Sequence, residues 1–196
     1  MVEHTRDVEL LPSGAPAAVR TALGDYASTA LKVACAVLAT ALAAQVKVWV
    51  PGSPVPITLQ TLAVLLAGFA LGARLAPVAM LLYLALGAVG LPFFAVGLIA
   101  PTGGYVIGFV FAAALVGRFG RTGGAGWLPT TAVAAAGTAV IFAFGLIWLT
   151  AWLNGDFSGA VWTGLVPFWP GAVLKTAVAV AAVRAWRRTA AGLRGR

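Results

Sequence analysis

The chain is poor in the residues that carry most enzyme chemistry. It holds one histidine, one cysteine and only five Asp and Glu among 196 residues. A single histidine, His4, lies in a polar N-terminal stretch. That leaves no material for a histidine metal site or a catalytic triad. A single cysteine, Cys35, excludes an intrachain disulfide, and its apolar neighbours mark it as an inert core thiol. No paired-carboxylate or serine–histidine arrangement is present, so an enzyme has almost no residues to stand on. No phosphate-cradling glycine motif of the Walker type occurs, which argues against nucleotide binding by this chain. Neither zinc spacing nor a basic–aromatic surface supports nucleic-acid binding.

Charge is scarce as well. Charged residues make up 9% and hydrophobic residues 61%, against about 25% charged in an ordinary soluble domain. So much apolar surface cannot be hidden from water in one globule of this size, and the chain reads as an integral membrane protein. The net charge of +8 has a matching explanation. Its cations gather at the ends of apolar segments and near the C-terminus, where they act as topology signals and lipid-headgroup contacts.

The residues predict six apolar segments, at roughly 27–48, 57–72, 75–91, 103–119, 127–153 and 164–186. Residues 1–25 lack the apolar run of a secretory signal and are expected to form a polar cytoplasmic tail. Residues 26–188 are expected to form the membrane domain, and 189–196 a basic cytoplasmic tail. With both termini inside, all the Lys and Arg except Lys32, Lys47 and Lys175 fall on the cytoplasmic side, and only Lys47 falls outside. That is a strong positive-inside bias. No convincing internal repeat is visible, so one compact all-α bundle is expected.

Several stretches carry polar groups at the outer ends of these segments. In VPGSPVPITLQTL (50–62) prolines fix an irregular loop before a helix whose start bears Thr58, Gln60 and Thr61. On an ideal helix Thr58 and Thr61 share a face and Gln60 points away, so all three meet one pocket only if the helix begins irregularly. Capping of the backbone by the hydroxyls is the plainer alternative. In PTGGYVIGF (101–109) Gly103 and Gly104 permit close backbone approach, and Tyr105 offers an aromatic face with a polar tip. Small residues four apart, Ala30 with Ala34 above all, suit close helix packing, either within the bundle or against a partner.

FWPGAVLK (168–175) sets Lys175 deep in an apolar helix. A charge at such depth costs about 2.5–3.5 kcal/mol on insertion scales. Snorkelling would have to cover ~12 Å at 1.5 Å per residue, so an outward-opening cavity or bound anion accounts for it better. Asp156 is a candidate counter-ion from the outer loop. The residues thus describe an outward-facing pocket with one cation, a few hydroxyls and amides, and aromatic walls drawn from Trp49, Phe93, Phe94 or Trp169. Such a pocket suits a small, partly apolar anion.

VPITLQTLAVLLAG (55–68), LLYLALGAVGLPFFA (81–95), PTGGYVIGF and FWPGAVLK, in that order, also resemble the BioY family of biotin-specific substrate-binding (S) components of energy-coupling-factor (ECF) transporters. The resemblance spans about residues 30–185. It implies a six-transmembrane-helix bundle of the S-component type, in a cell membrane, that takes biotin from outside and is not an enzyme. It implies no cofactor bound by this chain and no metal. The implied partners are a transmembrane coupling protein and two ABC-type ATPases that use ATP, or further copies of the chain where it works alone. Motif position and chemistry make Lys175, Thr58, Gln60, Tyr83, Tyr105, Gly103, Gly104 and Trp169 the expected substrate contacts, and Ala30 and Ala34 the docking face. The family motif usually reads Pro-Gly-Asp-x-x-Lys, whereas Ala172 stands at the aspartate position here. The loop between Phe94 and Pro101 also looks shorter and less glycine-rich than usual. An S component for another vitamin-like acid, or a structural membrane protein without a ligand, are the alternative readings.

Overall fold

The computed structural model describes residues 17–91, 100–122 and 126–194, and those are almost entirely helical. The chain divides into two units, 1–32 and 33–196; the packed helices and the cavity described below belong to the second. Helix α1 runs Ala17–Gln45, α2 Gln60–Ala88, α3 Gly103–Thr122, α4 Trp127–Trp152, α5 Phe157–Gly164 and α6 Trp169–Arg194. Between α1 and α2 lies an antiparallel ribbon of two very short strands, β1 (Lys47–Val48) and β2 (Ile57–Thr58). Hydrocarbon offers the backbone no hydrogen-bond partner, so apolar segments of this length satisfy their own N–H and C=O groups as helices.

Among the described residues five stretches are long and apolar enough to cross a membrane, Leu23–Gln45, Gln60–Ala88, Gly103–Gly120, Trp127–Trp152 and Phe157–Leu193. The segments expected at 57–72 and 75–91 form the single element α2, interrupted only at Gly72, whose φ of 78° and ψ of −176° are not helical. The two arms nonetheless lie side by side. Gln60 Nε2 donates to Tyr83 Oη at 2.6 Å, yet residues that far apart on one straight helix would stand roughly 35 Å apart. The chain therefore turns back at Gly72, a backbone conformation that only glycine adopts without strain. Gly117 of α3 packs directly onto this turn: a Cβ there would lie 2.5 Å from the carbonyl carbon of Gly72.

The expected segment 164–186 also differs. Asp156 caps α5 by accepting from the Gly159 N–H at 2.8 Å, and a 3₁₀ turn over Val166–Phe168 with Pro167 inside it separates α5 from α6. Pro170 then stands in the first turn of α6, where its missing N–H removes no bond. Asp156 is thus an exposed helix cap and not the counter-ion of Lys175. Cys35 is exposed on α1 rather than buried in the core.

Within the second unit two apolar clusters fill the bundle. One gathers Val64, Met80, Tyr83, Phe109 and Ile141. The other gathers Leu65, Phe69, Val116, Ala134 and Val180 toward the opposite ends of α3 and α6. At that far end Arg187 donates to the Gly120 carbonyl and lies over the Phe69 ring, while Arg184 lies over Trp127 at 4.3 Å. Glycines set the helix spacing. A Cβ at Gly68 would enter Val116, one at Gly104 would overlap Trp148, and one at Gly108 would press on Ile141. Ala34 and Ala39 are exposed on α1.

Gly72→Ala and Gly117→Ala are each expected to lower the thermal midpoint in detergent, the first by adding about 1–3 kcal/mol of backbone strain. Gly192→Ala, at a helical site with open space around it, should leave the midpoint unchanged or raise it slightly. Equal midpoints for all three variants would refute the tight turn.

Candidate functional site

A cavity of about 290 Å³ lies where α1 stops and α3 and α6 begin. That volume is at the small end of ligand pockets. One wall is apolar and comes from Val106 and Phe109 of α3 and Ile141 and Phe142 of α4. The ribbon and its loop add Lys47, Trp49, Pro54, Val55, Pro56 and Thr58, and α2 adds Gln60 and Thr61. The last wall is Phe168, Ala172 and Lys175. These three are spaced by four and three residues, so they form one stripe that runs from the end of the 3₁₀ turn into the start of α6.

Lys175 is half-buried and donates from Nζ to the Thr58 backbone carbonyl at 2.8 Å. The carbonyl is free to accept because β2 ends there and the chain enters α2 through Leu59. An ammonium has three N–H donors, so this bond leaves two for other groups. Between residues 33 and 196 the sequence holds one carboxylate side chain, Asp156, and that one caps α5. Ala172, buried one turn before Lys175, adds no charge to the wall.

Thr58, Gln60 and Thr61 all line the cavity. The helical-wheel conflict between them disappears because Thr58 lies on β2, outside the helix. The Thr58 hydroxyl donates to Gln60 Oε1 at 3.0 Å, and Gln60 Nε2 donates to Tyr83 Oη. Both ends of the Gln60 amide are therefore held inside the protein, in a chain that starts at the hydroxyl of the residue whose carbonyl Lys175 bonds. Thr61 Oγ1 is buried and has no hydrogen-bond partner in the described structure.

The other expected site residues divide. Tyr105 lines the cavity with its ring, edge-on to Phe142 at 6.2 Å, while its hydroxyl donates to the Gly164 carbonyl at 2.8 Å. The hydroxyl thus ties α3 to α5. Tyr83 is fully buried behind Gln60 and is not part of the lining. Gly103 donates its N–H to the Ala100 carbonyl, and Gly104 packs on Trp148; neither lines the cavity. Trp169 is 60% exposed, because one residue along a helix is a rotation of about 100° away from the Phe168 stripe. Phe93 and Phe94 lie outside the described residues, as does most of the loop before Pro101. Lys47, Phe109, Phe142 and Phe168 also line the cavity, outside the set of expected contacts. The helical spacing back from Lys175 was the available signal for Phe168.

Two further contacts fix the surroundings. Ser53 Oγ lies 2.7 Å from the Thr163 carbonyl and accepts from the Val55 N–H, which ties the ribbon loop to α5. Trp148 Nε1 donates to the Ala100 carbonyl at 3.0 Å, which fixes the entry to α3.

Residues 16–192 match the model of the BioY family. The "Biotin transporter BioY" of Rhizobium etli is 36% identical over 146 residues, 67% of this chain and 78% of the relative. The "Probable biotin transporter BioY" of Pyrococcus horikoshii is 37% identical over 76% of this chain and 89% of the relative. Among solved structures, the S-component for biotin from an ECF-type ABC transporter superposes with a TM-score of 0.72 at 26% identity, over 86% of this chain and 93% of that one.

Tyr83→Phe removes the acceptor of Gln60 Nε2 and leaves a buried amide N–H unpaired. The expected loss of stability is about 1–3 kcal/mol, read as a lower midpoint of denaturation in detergent. An unchanged midpoint would show that the amide is not held by Tyr83.

Proposed function

The chain belongs to the BioY family, and from that premise we propose that it captures biotin from outside the cell as the S component of an ECF-type transporter. The observation that carries this reading is Lys175: a cation set into an apolar wall, bonded to one backbone carbonyl, in a unit whose only carboxylate side chain caps a helix. Biotin is a small acid whose body joins a polar ureido ring to an apolar thioether ring and methylene chain. Its carboxylate supplies the missing counter-charge, and charge-assisted bonds of this kind are about twice as strong as neutral ones. The ring system then packs against Phe109, Phe142 and Phe168.

The direction of capture follows from charge. The cavity sits at the starts of α3 and α6, whereas Arg118, Arg184, Arg187 and Arg188 sit at their other ends. By the positive-inside rule the arginine ends face the cytoplasm and the cavity faces out. With the arms of α2 counted separately, the apolar helices cross six times, which returns both termini to the cytoplasm. In this reading 26–188 is the membrane domain, flanked by cytoplasmic tails at 1–25 and 189–196. A transmembrane coupling protein and two ABC-type ATPases, which use ATP, complete the transporter, with Ala30 and Ala34 on the docking face. A chain without those partners would work as a homo-oligomer.

A second reading keeps the site and changes the ligand to another vitamin-like acid. Ala172 favours it, because the wall beside Lys175 carries no acid where the family motif usually has one.

Titration of the purified protein with biotin tests the proposal, and mass spectrometry of co-purified ligand separates the two readings. Wild-type protein should bind at micromolar biotin or below, and Lys175→Ala should lose at least about tenfold in affinity. No detectable wild-type binding would overturn the biotin reading. Equal affinities would remove Lys175 from the site.

A further inference from the structure

The cavity carries a second cation. Lys47 stands on β1 and lines the same space as Lys175. In the ribbon its register partner is Thr58, the residue whose carbonyl accepts from Lys175 Nζ. Residues directly opposite in an antiparallel pair project their side chains from the same face. The side chain of Thr58 lines the cavity, so Lys47 leaves the ribbon on the cavity side as well. Both lysines thus converge on Thr58, one through the strand register and one through its carbonyl.

No acid between residues 33 and 196 balances them. Asp156 is the one carboxylate side chain between residues 33 and 196, and it is exposed and engaged by the Gly159 N–H. Lys47 differs from Lys175 in one respect: it is exposed, whereas Lys175 is half-buried. A charge at a rim acts chiefly on the rate of encounter and is screened by salt, whereas a buried charge acts on the rate of escape.

We propose that Lys47 is a specificity-determining residue of this site, a second cation that draws the ligand's carboxylate into the cavity and hands it to Lys175. This rests on the biotin reading given above. The ligand class is a monocarboxylate with a partly apolar body, and discrimination against its neutral derivatives is divided between the two lysines. Lys47 contributes through association and Lys175 through retention.

Stopped-flow binding of biotin and of neutral biotinamide, at low and high salt, tests the assignment on wild type, Lys47→Met and Lys47→Arg. Lys47→Met should slow association of biotin by roughly fivefold or more at low salt and leave biotinamide unchanged. The difference from wild type should shrink as salt rises, and Lys47→Arg should behave like wild type. If wild-type protein binds biotin and Lys47→Met leaves its association unchanged, this inference fails while the biotin reading stands. If Lys47→Met weakens biotin and biotinamide alike, Lys47 merely shapes the ribbon, and the inference fails in that case too. Absence of biotin binding by wild type overturns both.

Discussion

The ammonium of Lys175 rests on a backbone carbonyl, and much of this end of the bundle follows from that contact. An ionised group within an apolar helix needs a partner. The carbonyl of Thr58 serves as one because the chain before α2 is extended and paired with β1 instead of already helical. Had the helix begun at Ile57, that carbonyl would accept an intrahelical bond. The ribbon is therefore more than a connection. It presents one carbonyl to a lysine 117 residues away, and it leaves two ammonium hydrogens for whatever enters the cavity.

Behind the ribbon the structure is stiff. The hydroxyl of Thr58, the amide of Gln60 and the phenol of Tyr83 form a chain from β2 across the two arms of α2, buried at its Gln60–Tyr83 link. That chain exists only because the backbone reverses at Gly72, and the reversal in turn admits Gly117 of α3 against its backbone. A glycine at the far end of the bundle thus sets the position of polar groups at the cavity. Polar networks buried in this way hold one geometry when every member is satisfied. Here the amide of Gln60 is held at both ends, so its role is to fix the wall, and the ammonium donors that face the cavity beside it belong to Lys175.

Much of this was legible in the residues. Low charge and long apolar runs gave the membrane class, and Lys175 marked the site because its charge is anomalous in FWPGAVLK. Its neighbours were harder to read. Phe168 and Ala172 lie on its stripe by spacing alone, while Trp169, the more conspicuous aromatic, turns away. Two-residue strands have no periodicity, so β1 and β2 left no pattern to find, and with them went the placement of Lys47. The break near Gly72 was visible, but not that a single residue makes it. Gly104 looked like a ligand-approach glycine from its turn; only the presence of Trp148 across the helix pair reveals it as a packing position. Tyr83 and Tyr105 share a residue type but differ in role, since one holds an amide behind the wall and the other ties helices together through its hydroxyl.

In the proposed complex the ligand's carboxylate supplies the counter-charge which the protein withholds from Lys175. An experimental structure of the protein with bound biotin is the decisive measurement. A carboxylate oxygen within about 3 Å of Lys175 Nζ, with the ring system against Phe109, Phe142 and Phe168, is the predicted result. A complex in which the carboxylate points away from Lys175, or in which biotin lies outside this cavity, would contradict it.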